Sequence, residues 1–353
     1  MISPKERQVP RKGRPNITDI AARAGVSPTT VSHVLNRVAG ARVADATRER
    51  VENAAREMGY QPNGLARALR TQRSNTLALL SDEIATTPYA GRLILGAQEA
   101  ASRHGWLLII MTTGNVKSVE EREISAIWQH QVDGVLYAAA HHRVLDVPAS
   151  LDGKPLIVVN AESTQAAHRT VHPDEFQGAY AATDELIRAG HTSIAFINTM
   201  TPIPAREGRL EGYRAALKDA GIRFNKSLVV AGRSSFAVDG YEAASALFRS
   251  RRPTAVFCFN DRMAMGTYRA AREAGLAIPD DLSVVGFDNQ EIIAEALSPA
   301  LTTMALPYYE MGAAAVDILV AELKGEPLRT DRHVALASTV VRRESIRRLA
   351  VSP

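Results

Sequence analysis

Polar side chains follow several apolar runs of strand length in this chain, at the point where each run ends. The runs alternate with amphipathic segments typical of helices, which predicts parallel β-sheets covered by helices on both faces. The loops at the carboxyl ends of such strands converge on a ligand crevice. The polar residues at these ends are Asp82, Asn160, Asn260, Asp261 and Asp288. We therefore expect them to contribute to one noncovalent binding site.

No pattern typical of catalysis accompanies these strand ends. The sequence has no phosphate-binding glycine loop, no nucleophile elbow, no zinc-protease motif and no dinucleotide-binding glycines after its first strand. His141 and His142 are the only adjacent pair among nine histidines, and they lack a third ligand at metal spacing, so we interpret them as surface-loop residues. The single cysteine, Cys258, lies in an apolar run and is expected in a buried strand. The sequence thus predicts no enzyme and no cofactor or metal.

Charge is distributed unevenly along the 353 residues. Residues 1–73 contain 14 Lys and Arg against 6 Asp and Glu, a net charge of +8, whereas the remaining residues carry −4. A small basic segment on a slightly acidic body suggests a polyanion-binding module joined to a different domain. No apolar stretch reaches the roughly 18 residues of a membrane span, and the basic N-terminus lacks the apolar core of a signal peptide. We expect a cytoplasmic protein without membrane contact.

Two short helices around a tight turn are predicted over residues 16–36. The first has an apolar stripe at Ile17, Ile20, Ala21 and Ala24. Gly25 follows at the position where glycine best tolerates a positive φ, and Ser27 can cap a second helix that starts at Pro28. The second helix is too short and too polar to be stable alone, so it must pack on the first as a helix-turn-helix. Its outward residues are Thr29, Thr30, Ser32 and His33.

A third helix is expected over residues 45–60, followed by a break and a short helical segment over 63–70. In that segment apolar residues at helical spacing alternate with arginines, namely Leu65, Ala66 and Leu69 with Arg67, Arg70 and Arg73. A segment of this kind folds on binding, with cations for phosphates and an apolar side chain for insertion. We divide the chain into a disordered basic tail (1–15), a helix-turn-helix domain (16–61), a hinge linker (62–74) and a ligand-binding body (75–353).

Two runs of the N-terminal region, ITDIAARAGVSPTTVSHVLN and ADATRERVENAAREMGYQPNGLARALR, resemble the DNA-binding head of the lactose-repressor and purine-repressor (LacI/GalR) family. The body resembles the same family along nearly its full length, for example in GHTSIAFI, REGRLEGYRAALKDAG and FNDRMAMGTYRAAREAGLAIPDDLSVVGFDN. The resemblance implies an all-α helix-turn-helix head and an α/β periplasmic-binding-protein-like body, whose two lobes enclose an effector.

The resemblance also implies roles in DNA binding. Base edges in the major groove would face Pro28, Thr29 and His33, and the proline offers only apolar contact. Phosphates would bind Ser27, Thr30, Ser32 and Asn36. The hinge would insert Leu69 into a minor-groove step, accompanied by Arg67 and Arg70. Other interpretations remain: the threonines could be ordinary helix-start residues, the histidine a solvated one, and the leucine could pack on the body. A longer loop after Asn36 leaves the role of Arg42 open.

Roles in effector binding follow from the same resemblance. The implied contacts are Arg209, Asp288, Asn260, Asp261 and Asn160; Asp82 is added as a candidate because it ends the first strand. A guanidinium presents a fixed fork of donors, and carboxylates accept hydrogen bonds from pairs of sugar hydroxyls. Tyr89 and Phe236 could supply the walls of the site, although the spacing around Phe236 is unusual. Alternatively, Arg209 and Asp288 form a plain inter-lobe ion pair, and the asparagines only cap strand ends.

The lobes are expected to be discontinuous in sequence. We assign about 75–171 and 302–332 to the first lobe, and about 172–301 and 333–353 to the second. The crossing segments should lie near 171–174, 299–303 and 331–335. The C-terminus carries no leucine heptad of the kind that forms tetramers, so we expect a homodimer that reads a near-palindromic operator of double-stranded DNA.

The function predicted is a transcription repressor whose operator affinity is set by a small-molecule effector, most simply a sugar or sugar derivative. One alternative is a purine-responsive repressor that needs a corepressor. Another is the solute-binding protein of a sugar transporter, which the basic head and missing export signal argue against. A Rossmann-like enzyme is disfavoured by the missing glycine motif.

Overall fold

The computed structural model describes residues 15–35, 40–60, 73–83, 90–328 and 330–349. Contacts divide the chain into two compact units, Met1–Ser74 and Asn75–Pro353. We describe each unit by itself. Within the described residues, none of the helices is long and apolar enough to cross a membrane.

The described residues of unit 1 form three helices, α1 (Ile17–Ala24), α2 (Pro28–Leu35) and α3 (Asp45–Glu57). Asn16 begins α1 with a capping box: its side chain accepts from the backbone of residues 18 and 19, and the Asp19 carboxylate accepts from its backbone N–H. Gly25 ends the helix at φ 67°, in the left-handed conformation expected there. The three helices share a small core formed mainly by Ile20, Ala21, Val31, Val34, Val51 and Ala54.

Unit 2 is built on two six-stranded sheets. The first contains β1 (Thr76–Ser81), β2 (Leu107–Thr112), β3 (Gly134–Leu145), β4 (Leu156–Ser163), β5 (Arg169–Pro173) and β11 (His333–Leu336), in the order β11-β5-β4-β3-β1-β2. The second contains β6 (Ile194–Thr199), β7 (Val229–Gly232), β8 (Ala255–Cys258), β9 (Ser283–Asp288), β10 (Thr302–Ala305) and β12 (Thr339–Val341), in the order β12-β10-β9-β8-β6-β7. All pairings are parallel except β10 with β12. We call the two sheets with their helices lobe 1 and lobe 2.

Helices alternate with these strands, as the sequence pattern predicts. Lobe 1 carries α4 (Ala90–Arg103), α5 (Lys117–Gln129) and α11 (Tyr308–Lys324), and lobe 2 carries α6 (Glu175–Arg188), α7 (Pro204–Asp219), α8 (Ala237–Ser250), α9 (Asp261–Glu273) and the short α10 (Glu291–Ala294). Buried aliphatic and aromatic side chains on both faces of each sheet form the cores, and Cys258 lies buried in β8. The fold is therefore the α/β body that the alternating pattern predicts.

The chain crosses between the lobes later than predicted at two of three places. Strand Thr302–Ala305 belongs to lobe 2, where it pairs with β9, and the second crossing follows it. Strand His333–Leu336 belongs to lobe 1, where it pairs with β5, and the third crossing lies just before Thr339. The predicted crossings at 299–303 and 331–335 are thus placed too early. The physical reason is that the backbone groups of these segments are satisfied by pairing with neighbouring strands before the chain crosses.

Candidate functional site

Helix α2 presents the predicted DNA-reading residues on its outer side. Val31 and Val34 are buried against the other helices, which leaves Pro28 and Thr29 exposed and His33 half-buried. The Ser27 hydroxyl accepts from the backbone N–H of residue 30 at 3.1 Å, so it caps the helix as predicted. Among the other predicted DNA contacts, Thr30 and Ser32 are half-buried and lie on the same helix. Four predicted residues lie outside the described part of the chain, namely Asn36, Arg67, Leu69 and Arg70.

Two of the three crossing segments border a cavity of about 780 Å³ between the lobes. Residues from both lobes and from two crossings line it, including Arg92, Arg262, Asp288, Gln290, Ile292, Leu306, Tyr308 and Thr339. Asp288, one of the predicted effector contacts, stands on this wall with φ 101°, and Asn289 follows at φ 50°. Non-glycine residues rarely adopt positive φ, and such conformations concentrate at functional sites. We call this cavity the cleft.

Arg209 lies against Asp288 and is held there by other groups. Its Nη2 is 3.7 Å from an Asp288 carboxylate oxygen, and its Nε donates to Glu175 at 2.7 Å. Its Nη1 donates to the carbonyl oxygen of Phe259. The guanidinium carbon lies 4.3 Å from the Phe259 ring centroid and 3.8 Å from that of Phe287. The guanidinium is therefore fixed in orientation, with one edge directed at Asp288.

Burial and neighbouring charges shift the pKa values of the carboxyl groups around Arg209. Burial alone would raise the pKa of Glu175, but Arg209 and His142 outweigh it and lower the pKa to about 2. Burial raises the pKa of Asp288 to about 6 although Arg209 opposes the shift. Burial and the neighbouring Asp288 raise the pKa of Asp261 well above its usual range. Glu175 is thus the permanent counter-charge of Arg209, while Asp288 titrates close to neutral pH.

Asp261 and Asn260 serve mainly as supports in this structure. Asp261 accepts from the hydroxyl of Thr303 at 2.6 Å and from the backbone N–H of Gln290 at 2.7 Å, which ties the end of β9 to β10. Asn260 caps α9 by accepting from the N–H of residue 263, and its amide donates to the carbonyl of Ser235. Both residues are fully buried. Asp261 thus fixes the backbone just after Asp288, whereas Asn260 fixes the start of α9 and the loop at Ser235.

Asp82 and Asn160 form hydrogen bonds to backbone groups at an irregularity in strand β3 of lobe 1. The pairing of β3 with β4 changes register between Ala138 and residue 143, so the strand bulges there. Asn160, at φ 54°, donates to the carbonyl of Ala139, and Asp82 accepts from the N–H of Ala140. Asp82 also pairs with Arg143 at 2.8 Å and lines a separate cavity of about 260 Å³ in lobe 1. Neither side chain lines the cleft.

Of the two aromatic residues predicted to form walls of the effector site, the structure describes only Phe236. Phe236 precedes α8 and is 58% exposed, and its ring lies 4.9 Å from the guanidinium of Arg262, which lines the cleft. Tyr89 lies outside the described residues. Tyr308, at the start of α11, lines the cleft and was not predicted. A tyrosine that opens a helix after an apolar strand gives no local signal that it faces a ligand.

The interpretation of His141 and His142 as surface-loop residues is wrong. Both lie in β3, and His142 is buried, with its ring stacked on His172 at a centroid distance of 4.9 Å. Its Nδ1 lies 3.1 Å from Glu175 of lobe 2. The sequence did not predict that His142 meets Glu175, because the two residues are distant in the chain and the residues around each of them form no recognisable binding motif.

A helix-turn-helix unit joined to a two-lobed body with a polar cleft defines a class of ligand-responsive DNA-binding proteins. Comparison with known proteins agrees. Residues 16–63 match the family described as bacterial regulatory proteins, lacI family, and residues 183–346 match a periplasmic binding protein-like domain.

Similar proteins cover nearly the whole chain. The HTH-type transcriptional regulator DegA of Bacillus subtilis is 36% identical over 84% of this chain and 88% of its own. The ribose operon repressor of Haemophilus influenzae is 35% identical over 93% of this chain and 97% of its own. A solved structure, the transcriptional regulator CelR–cellobiose complex, aligns with TM-score 0.65 at 31% identity over 94% of this chain and all of that one. The chain belongs to the LacI family and is a DNA-binding transcriptional regulator controlled by an effector.

Proposed function

We propose that the effector is a sugar or sugar derivative that binds in the cleft at the Arg209–Asp288 edge. The observation that carries this proposal is the fixed juxtaposition of one guanidinium edge and one carboxylate, 3.7 Å apart. Vicinal hydroxyls of a sugar present a donor and an acceptor at comparable spacing, so such an edge suits them. Apolar residues on the same cleft, such as Tyr308 and Ile292, suit the carbon face of a sugar ring. Two relatives are named for ribose and cellobiose.

We further propose that the protein is a homodimer that represses by binding a near-palindromic operator, with Thr29 and His33 reading base edges. A twofold dimer presents two reading helices to two half-sites, which accounts for operator symmetry. Strand β2 supports dimerisation, because it is a sheet edge with exposed apolar side chains, Leu107 and Ile110 among them. Such an edge is normally covered by another chain or element.

The effector proposal predicts that Arg209→Ala removes ligand-induced stabilisation. A thermal-shift screen of the full chain against monosaccharides, disaccharides and nucleobases identifies the ligand, since a compound that binds only the folded state raises Tm. For the sugar that shifts Tm, Arg209→Ala should abolish the shift. Because protonated Asp288 loses acceptor capacity, the shift should also decline as the pH falls below about 6.

Arg206→Ala is the matched control, since Arg206 lies on the same helix and, among the described residues, forms an ion pair only with its neighbour Glu207. This variant should retain the sugar-induced shift. A shift produced by nucleobases alone, or one that survives Arg209→Ala, would move the effector to another class or another site. Random-sequence DNA selection with the same protein then yields the operator, and release of that DNA by the sugar distinguishes induction from corepression.

A further inference from the structure

Glu175 occupies the junction of the two lobes and contacts both. It is the first residue of α6 in lobe 2 and is only 5% exposed. One carboxylate oxygen accepts from Arg209 Nε at 2.7 Å, and the other lies 3.1 Å from Nδ1 of His142 in lobe 1. A single carboxylate is thus shared between the arginine that lies against Asp288 of the cleft and a histidine of the opposite lobe.

Close helix packing brings Glu175 to Arg209. A Cβ added at Gly212 would overlap the carbonyl oxygen of Phe176, and one added at Gly208 would overlap the Glu175 side chain. The two glycines let α6 and α7 approach at the point where the ion pair forms. The geometry therefore fixes the carboxylate on the arginine independently of the cleft contents.

The β3 bulge brings His142 to the same point. Asp82 and Asn160 satisfy the backbone groups that the bulge leaves unpaired, so this part of the strand is held in place by two side chains of its own lobe. His142 then faces charged or titratable groups from every neighbouring element, namely Glu162 of β4 at 3.7 Å, His172 of β5 stacked on it, Glu175 of α6 at 3.1 Å and, through Glu175, Arg209 of α7.

The groups around His142 favour the protonated, positively charged form of its imidazole. Burial lowers the pKa of His142, but the neighbouring carboxylates of Glu162 and Glu175 outweigh burial, so the pKa lies above its usual value. The pKa of the stacked His172 is lowered, mainly by burial, so one ring of the stack carries the charge. His333 is the further titratable group that acts on Glu162. Nε2 of His142 is buried without a hydrogen-bond partner in the described structure.

We propose that Glu175 positions Arg209 for the effector, and that its contact with His142 makes this positioning depend on the approach of the two lobes and on protonation of His142. With the imidazolium present, Glu175 is held from both sides and the lobes are tied at this point. When the imidazole is neutral, the Glu175 carboxylate forms an ion pair with Arg209 alone, and His142 no longer ties lobe 1 to it. The proposal rests on the proposed function only where it assigns Arg209 to the effector site.

The sign of the pH effect follows from the raised pKa. A group whose pKa is higher in the tied state than in the released one stabilises the tied state at low pH, and this stabilisation is lost as the pH rises through the raised pKa. The contact between the lobes should therefore be strong near pH 6 and weak near pH 9, in the range where histidine titrates.

Hydrogen exchange of the full-length protein, followed by mass spectrometry, tests the proposal without effector or DNA. At about pH 6, His142→Gln should lower protection about tenfold in peptides from both β3 and α7, since local opening reports the lost contact. At about pH 9 the variant and the wild type should agree. Glu175→Gln, which leaves the histidine in place, should equally remove the pH-dependent part of the protection.

The matched control is His104→Gln, which removes a histidine–carboxylate pair on the surface of lobe 1, where His104 lies 2.8 Å from Asp317. It should leave the β3 and α7 peptides unchanged. Equal loss of protection at both pH values would show that His142 only packs, and would overturn the proposal. A change confined to β3 would show that Glu175 does not transmit the contact to Arg209. If His142→Gln fails to fold, the pH profile of Glu175→Gln decides alone. None of these outcomes bears on whether a sugar binds.

Discussion

Helix α2 and the cleft position their polar residues by different means. In α2 the outward residues occupy one turn and a half of a single helix, capped by Ser27. At the cleft, the Asp288 carboxylate of β9 lies against a guanidinium of α7 that is paired with a carboxylate of α6, and their supports come from β10 and β3. The first site depends on local geometry, whereas the second exists only when distant elements pack.

This difference shows where each site is vulnerable. A helix-cap substitution acts within unit 1, and the exposed side chains of α2 can be replaced without disturbing a core. At the cleft, the proposed ligand contact Arg209 and its support Glu175 are both buried charges, so replacing either is expected to affect folding and function together. The following changes separate these cases, from the largest expected effect to the smallest.

Replacing Glu175 with leucine should destabilise the body most. Arg209 would remain buried, with only 4% of its side chain exposed, and would lose the closer of its two ionic partners, leaving Asp288 at 3.7 Å. Removing one member of a buried pair costs about 3–5 kcal/mol because the other charge is left uncompensated. Urea unfolding of the full chain, followed by the fluorescence of Trp106 and Trp128, measures the loss. The Glu175→Leu/Arg209→Met double variant removes both charges and should recover much of the stability; equal losses in the single and double variants would contradict the pairing argument.

Much of the fold follows from the sequence, because its determinants are short in range. Apolar runs between amphipathic segments predict the α/β body, and Gly25 and Ser27 mark the helix-turn-helix turn, as the structure confirms. The same reasoning brings Asp288 to the cleft as a strand-end carboxylate. These features depend on hydrophobic period, capping and the common direction of parallel strands.

The supports of the cleft could not be predicted in this way. Asp82 and Asn160 end strands as ligand-binding residues do, yet they bind the backbone of a bulge that only strand pairing reveals. Glu175 and His142 meet across two lobes, and nothing within a window of ten residues around either one indicates the other. Long-range contacts of this kind are set by packing, which periodicity does not encode.

Replacing His33 with alanine should have an intermediate effect, confined to DNA recognition. Loss of one good base contact costs about 1–3 kcal/mol of discrimination and little nonspecific affinity. Binding to the selected operator and to unrelated duplex DNA, measured at one salt concentration, separates the two quantities. Asn53→Ala, on an exposed position of α3, is the control and should bind both DNAs normally. Equal weakening on both DNAs would assign His33 to the phosphate backbone instead.

Replacing Asn16 with alanine should have the smallest effect of the series. The side chain caps α1 and accepts from two backbone N–H groups, at 2.8 and 3.1 Å, in an exposed setting. Loss of such a cap costs about 1 kcal/mol, since water can replace part of the bonding. Hydrogen exchange of α1 peptides should therefore accelerate while peptides of unit 2 are unchanged. Thr18→Ala is the control, because it keeps the cap and substitutes a better helix former. If Asn16→Ala also altered exchange in the cleft helices, the two sites would not be independent, and the contrast between local and assembled sites would fail.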